Sequence, residues 1–288
     1  MSVSLFKLRD DVPTLTAPVL VGAFDGWIDA GSAASAAADR LTDGADTIAS
    51  VDPDAVFDYR SRRPVLDVVD GTLTRLDWPE LAIKRRTIDR RDVLVLSGPE
   101  PDFRWRELAA SAAEIALRLG ALQWVSLGAI PAAVPHTRPV SVFGTASQGG
   151  LLASDVEQGP AGLLRVPAAA LSVMEMAMNS VGVPTVGFYA QVPHYVGGPF
   201  APGAIALLEQ LDRHLDIEVS LGRLVESAVE QRLRLDAAVG ADDEARSYLE
   251  RLESMGADEG IPSGDDLASE IERFLQDESG GDDPPRLG

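Results

Sequence analysis

Asp92-Val-Leu-Val-Leu-Ser97, followed by Gly98-Pro99 and the helical stretch Trp105–Leu119, decides the fold class. Four successive Val and Leu side chains leave neither face of an extended chain wet, so the run reads as a strand buried on both sides. The stretch behind it is rich in alanine, the best helix former, and ends at Gly120, a residue able to take the positive φ of a helix C-terminus. A doubly buried strand that feeds a helix is half of a βαβ unit, and such units build parallel sheets.

The same alternation extends in both directions. Pro18–Gly22 is a short apolar run before an alanine-rich helical stretch, Ala30–Leu41, and Thr47–Val51 reads as another strand. Trp124–Gly128 and Val183–Tyr189 repeat the strand-then-loop pattern. Val65–Leu76 carries β-branched residues around Asp70-Gly71, a dipeptide that accepts positive φ at both turn positions, and predicts a hairpin. The expectation is an α/β fold in three layers around a largely parallel sheet, spanning 1–203.

From Ala204 the strand signals stop. Leu207, Leu208, Leu211 and Leu215 recur at three- and four-residue spacing, and Leu221, Leu224, Val225 and Ala228 do so on the next stretch. Residues 204–276 are therefore expected to be a helical extension packed on the α/β part through these stripes, acidic faces outward. Residues 277–288, ending Pro285-Arg286-Leu287-Gly288, read as a flexible acidic tail.

Composition excludes several classes of function. The formal charge is −20, and residues 241–288 hold 15 Asp and Glu against 4 Arg, a net of −11. A surface of that sign repels nucleic acid and anionic membrane, so neither is expected as a partner. Lys84-Arg85-Arg86 with Arg90-Arg91 is the one basic cluster and reads as a solvated strand edge. No cysteine is present, which removes disulfides and thiolate metal sites and fits a reducing compartment. With no secretory leader and no apolar run of bilayer length, the expected location is the cytoplasm.

Three loops carry the chemistry-bearing residues, each behind a strand. Gly22–Gly31 contains Asp25, Gly26, Trp27 and Asp29, without the spacing of a dinucleotide or P-loop motif. Ser97–Arg106 contains Glu100, Phe103 and Arg104, with Pro99 and Pro101 stiffening the loop and Asp102 placed to cap the helix. Gly128–Pro139 contains His136 and Arg138. In a parallel sheet all three belong at the carboxyl edge, where open α/β proteins bind their partners. No His-x-x-x-His or Glu-x-x-His pair is present, and there is no Gly-x-Ser-x-Gly elbow, so no metal, cofactor or catalytic residue is assigned. The nine residues named form a candidate interface. The rival reading is an enzyme or a binder of a nucleoside-like or anionic small ligand, with Asp25, Glu100, His136 and Arg138 converging in a cleft. Exposed aromatic residues on such loops favour a protein partner, a further copy of the chain included.

Taken together, VGAFDGWIDAGSAASAAADRL, DVLVLSGPEPDFRWRELA and LGAIPAAVPHTRPVSVFGTAS resemble the proteasome assembly chaperone family, in its actinobacterial branch of uncharacterised function. The resemblance covers roughly 15–210. It implies a nucleoside-phosphorylase-like fold, proteasome subunits as a partner class and a homo-oligomer, a trimer ahead of a dimer. It carries over no catalytic residue. Relatives that dock into proteasome pockets end in a hydrophobic residue, a tyrosine and any residue. Arg286-Leu287-Gly288 lacks that tyrosine, so docking by the terminus is not expected.

Overall fold

The computed structural model describes residues 4–159 and 162–255. The sequence readings for 256–276 and for the tail at 277–288 lie outside the described residues. The chain opens with β1 (Phe6–Leu8), β2 (Val19–Asp25), a 3-10 turn (Ala30–Ser32) leading into α1 (Ala33–Thr42), β3 (Asp46–Val51) and α2 (Pro53–Val56). A hairpin of β4 (Val65–Val69) and β5 (Thr72–Asp77) follows, then β6 (Ala82–Ile88), β7 (Arg91–Pro99), α3 (Trp105–Arg118) and β8 (Trp124–Ala132). The remainder is β9 (Val142–Ala146), β10 (Glu157–Gln158), α4 (Ala170–Ser180), β11 (Thr185–Pro193), α5 (Ala201–Leu215), α6 (Leu224–Gly240) and α7 (Asp243–Met255).

Nine strands form one sheet in the order β1-β3-β6-β7-β2-β8-β11-β9-β10. The four central strands, β7, β2, β8 and β11, are parallel, as their unbroken apolar runs require. Antiparallel pairs flank them, β6 on β7 at one side and β9 on β11 at the other. Alternate side chains leave opposite faces of the sheet and make two cores. Val19, Val21, Val93, Val95, Leu127 and Phe188 face α1 and α5. Leu20, Phe24, Leu94, Leu96 and Trp124 face α3 and α4. This is a three-layer α/β fold.

The leucine stripe of the C-terminal part lies in this architecture. Leu207, Leu208 and Leu211 of α5 are fully buried in the core shared with α1, each contributing roughly 1.5–3 kcal/mol. α6 packs on α5 and α7 on α6, with Glu226, Glu230, Asp243 and Glu250 on their exposed sides.

Local chemistry explains where sequence and structure part. β2 continues past Gly22, because that glycine makes room for a ring rather than a turn: a Cβ there would lie 2.3 Å from Trp124. Asp102 does not cap α3; its carboxylate accepts from Asp58 N–H at 2.8 Å, and Arg104, at φ 60°, takes the capping position. The basic cluster on β6 is not at a sheet edge, since β3 and β7 pair on either side of it. There Arg85 reaches the buried Asp92 carboxylate at 2.8 Å, and Arg86 donates to the Arg40 carbonyl at 3.1 Å.

Candidate protein-binding edge

The parallel strands deliver their carboxyl ends to one edge of the sheet, and the loops after β2, β7 and β8 begin there. β6 starts at the same edge, because Ala82 pairs with Ser97 near the end of β7. The segment from β3 to β6, including α2 and the β4–β5 hairpin, therefore also rises from this edge.

The first two loops are bonded into one unit. Glu100 N–H donates to the Asp25 carbonyl at 2.9 Å. The Glu100 carboxylate accepts Trp27 N–H at 3.0 Å through Oε2 and Ala170 N–H at 2.7 Å through Oε1. It thus joins the β2 loop to the first turn of α4, where the helix dipole favours an anion. Only glycine fits at 26, for a Cβ would lie 2.4 Å from Glu100 Oε2. The Asp25 carboxylate pairs with Arg62 at 2.6 Å, and Arg62 also donates to the Asp25 carbonyl. Arg62 was invisible to the sequence reading because its contact crosses 37 residues. Arg104 pairs with Glu107 one turn on, not with Glu100.

Asp29 is buried. Its Oδ1 accepts Ala34 N–H at 2.7 Å and Ser35 N–H at 3.2 Å, capping α1 from across the 3-10 turn, while Oδ2 has no partner. Burial pushes its pKa up to about 6, against the pull of those bonds. Its backbone bridges to Ala129 of β8.

The third loop is held differently. His136 is buried; Nδ1 lies 2.7 Å from Tyr195 Oη, which also accepts His136 N–H, and Nε2 lies 3.2 Å from Asp236. A neutral ring with its proton on Nε2 satisfies all three contacts. Burial lowers the pKa of His136, which favours that form. Arg232 donates to the His136 carbonyl at 3.0 Å, and Arg138 to the Glu253 carbonyl. His136 and Arg138 therefore clamp α6 and α7, and both have partners other than Asp25 and Glu100.

Between its charged residues the edge presents large aromatic side chains outward. Trp27 is 41% exposed and Phe103 50% exposed, on loops whose backbones are fixed by the bonds above. Trp78, also 50% exposed, stands edge-on to Tyr59 at a centroid distance of 4.7 Å. An open cleft of about 400 Å³ beside α1 is lined by Asp25, Asp39 and Glu80 against Lys84. Burial raises the pKa of Asp39, and Lys84 draws it down. Among the described residues no cluster of three ligating side chains is placed to hold a metal ion. No described helix is long and apolar enough to cross a membrane.

The model of the PAC2 family matches residues 23–239. The chain belongs to the PAC2 family. Among solved PAC2-like structures, a Mycobacterium tuberculosis protein of unknown function shares 33% identity over 89% of this chain and 92% of its own, with a TM-score of 0.82. A proteasome-assembly chaperone homologue from the same organism shares 35% identity over 80% of this chain and 99% of its own, TM-score 0.72. An archaeal proteasome activator from Pyrococcus furiosus matches at 15% identity over 82% of this chain and 99% of its own, TM-score 0.63, a likeness of fold alone. No curated protein matches.

Proposed function

We propose that this PAC2 chain is a cytoplasmic, self-associating assembly protein that binds proteasome subunits through the carboxyl edge of its sheet. The observation that carries the reading is the pair of exposed aromatics, Trp27 and Phe103, on loops rigidified by Glu100 and Arg62. Aromatic anchors fixed before binding lose little conformational freedom on docking, which is the composition of an interface hot spot. The chaperone homologue at 35% identity supports the choice of partner class. Three copies per particle is the expected stoichiometry.

The titratable groups of the edge are engaged in holding loops. Asp25 is paired, Glu100 accepts two backbone N–H groups, and His136 is bonded on both ring nitrogens. Calorimetry with purified proteasome α-subunits tests the proposal. Saturable binding that weakens about tenfold or more in Trp27→Ala/Phe103→Ala is expected. No heat with α-subunits, together with a thermal shift on adding a nucleoside or phosphate, would replace this reading with the small-ligand one.

A further inference from the structure

α6 is a 17-residue helix with no fully buried side chain. One row of it faces inward: Leu224 and Leu235 pack against the core shared by α1 and α5, and between them Gln231 Oε1 accepts Ala201 N–H at 2.8 Å. A second row is apolar and faces away. Val225, Val229 and Leu233 recur every fourth residue, which puts them on one line about 135° round the helix from the inner row. They are 48%, 57% and 64% exposed, and Ala237, also exposed, continues the line. From Val225 to Ala237 the row is about 18 Å long and carries no charge. Such a stripe on a helix surface is an unfilled packing face.

We propose that this row is covered by residues 265–276 of the same chain, docked as a further helix. The sequence after α7 lies outside the described residues, and one stretch of it has the matching pattern. In Asp265-Asp-Leu-Ala-Ser-Glu-Ile-Glu-Arg-Phe-Leu-Gln276, the residues Leu267, Ile271, Phe274 and Leu275 fall at i, i+4, i+7 and i+8 and make one apolar stripe. Asp265 and Asp266 stand in the first turn, where the helix dipole favours carboxylates. A helix of a dozen residues is about 18 Å long, the length of the α6 row, and is marginal in water unless it buries such a stripe. The chain also leaves the described structure beside that row. Glu253 of α7 accepts from Thr137 and Arg138, and the adjoining His136 is bonded to Arg232 and Asp236 of α6 at 3.0 and 3.2 Å. Residues 256–264 can reach about 30 Å, more than the length of the row. With the two stripes facing one another, Glu230 of α6 and Glu272 and Arg273 of the segment stay in water. The inference is independent of the partner assigned to the carboxyl edge.

Because the chain lacks cysteine, a pair of introduced cysteines reports the contact without background. The middle of the segment meets the middle of the row whichever way the helix runs. Under mild oxidation Val229→Cys/Ile271→Cys should therefore form a disulfide within one chain, read as loss of both free thiols at unchanged chain mass on a non-reducing gel. Arg234→Cys/Ile271→Cys, with the first cysteine on another face of α6, should keep its thiols. Hydrogen exchange on the full chain gives a second readout. Amides of 265–276 should be protected at least tenfold over the unfolded rate, and Val229→Asp/Leu233→Asp should remove that protection while β2 and β7 exchange as before. Disulfides between chains in place of within them assign the row to a second copy and overturn the inference, as does cross-linking that is absent at 229 or equal at 229 and 234. Unprotected amides in 265–276 of the wild type, or protection that Val229→Asp/Leu233→Asp leaves unchanged, overturn it as well.

Discussion

Glu100 is the residue whose loss should be felt most widely at the carboxyl edge. In Glu100→Ala two backbone donors, Trp27 N–H and Ala170 N–H, lose a charged acceptor at 3.0 and 2.7 Å. Hydrogen bonds to a charged group contribute about 1.5–3 kcal/mol each, and the anion at the start of α4 about 0.5 more. The bond to Trp27 is exposed, so water replaces part of it, while that to Ala170 is partly buried. The net loss should be about 2–4 kcal/mol. In a chain of 288 residues that lowers the melting temperature by about 5–10 °C. Glu100→Gln keeps one acceptor and turns an amide NH2 toward the other donor, so about half the effect is expected. Urea unfolding followed by circular dichroism measures both. The Trp27 loop should also lose its fixed geometry, so α-subunit affinity should fall more than for an equally destabilising change in the core, such as one in α3. A Glu100→Ala variant within 0.5 kcal/mol of wild type, with unchanged affinity, would refute the clamp.

Further expectations follow from the same contacts. Asp29 has its pKa raised to about 6 in the folded chain, so the folded state holds that proton more tightly than the unfolded one. Stability should therefore decline as pH rises from about 4 to 6, and Asp29→Asn, which cannot ionise, should remove about 3 kcal/mol of that decline; parallel unfolding curves for both proteins at pH 5 and 7.5 would count against it. Gly22→Ala places a methyl 2.3 Å from the fully buried Trp124 ring and should cost about 1–3 kcal/mol, visible as a lower urea midpoint. A chain ending at 203 cuts α5 and removes Leu207, Leu208 and Leu211 from the core, so it should aggregate, whereas one ending at 277 should melt like the full chain; a soluble, cooperatively melting 1–203 fragment would show that the later helices are an appendage.

The parts of the fold that were legible in the sequence are those with local causes. Val93–Leu96 announces a doubly buried strand by composition alone, and Asp70-Gly71 takes the two positive φ values its hairpin turn needs. β6 was misplaced because the charges of Lys84, Arg85 and Arg86 mask a strand whose interior position depends on Asp92 and Arg40, remote in sequence or on other elements. α4 was missed, since Ala170–Ser180 has no side-chain cap and carries three methionines, a residue common in core and surface alike. In the candidate edge, Asp25, Glu100 and their neighbours could be placed at strand ends from spacing. Their partners Arg62, Ala170 and Asp236 lie 37, 70 and 100 residues away, and no local pattern encodes them. Nor does periodicity distinguish a hairpin that packs on its own core from one that leaves Leu66 and Leu73 in solvent.

Hydrogen exchange on the chain, alone and mixed with purified proteasome α-subunits, tests the account most directly. Protection on complex formation should concentrate in 25–31 and 97–106, which bear Trp27 and Phe103, and should disappear in Trp27→Ala/Phe103→Ala at the same concentration. Protection confined to the opposite edge of the sheet, or none at saturating α-subunit, would contradict the assignment of this edge as the binding surface.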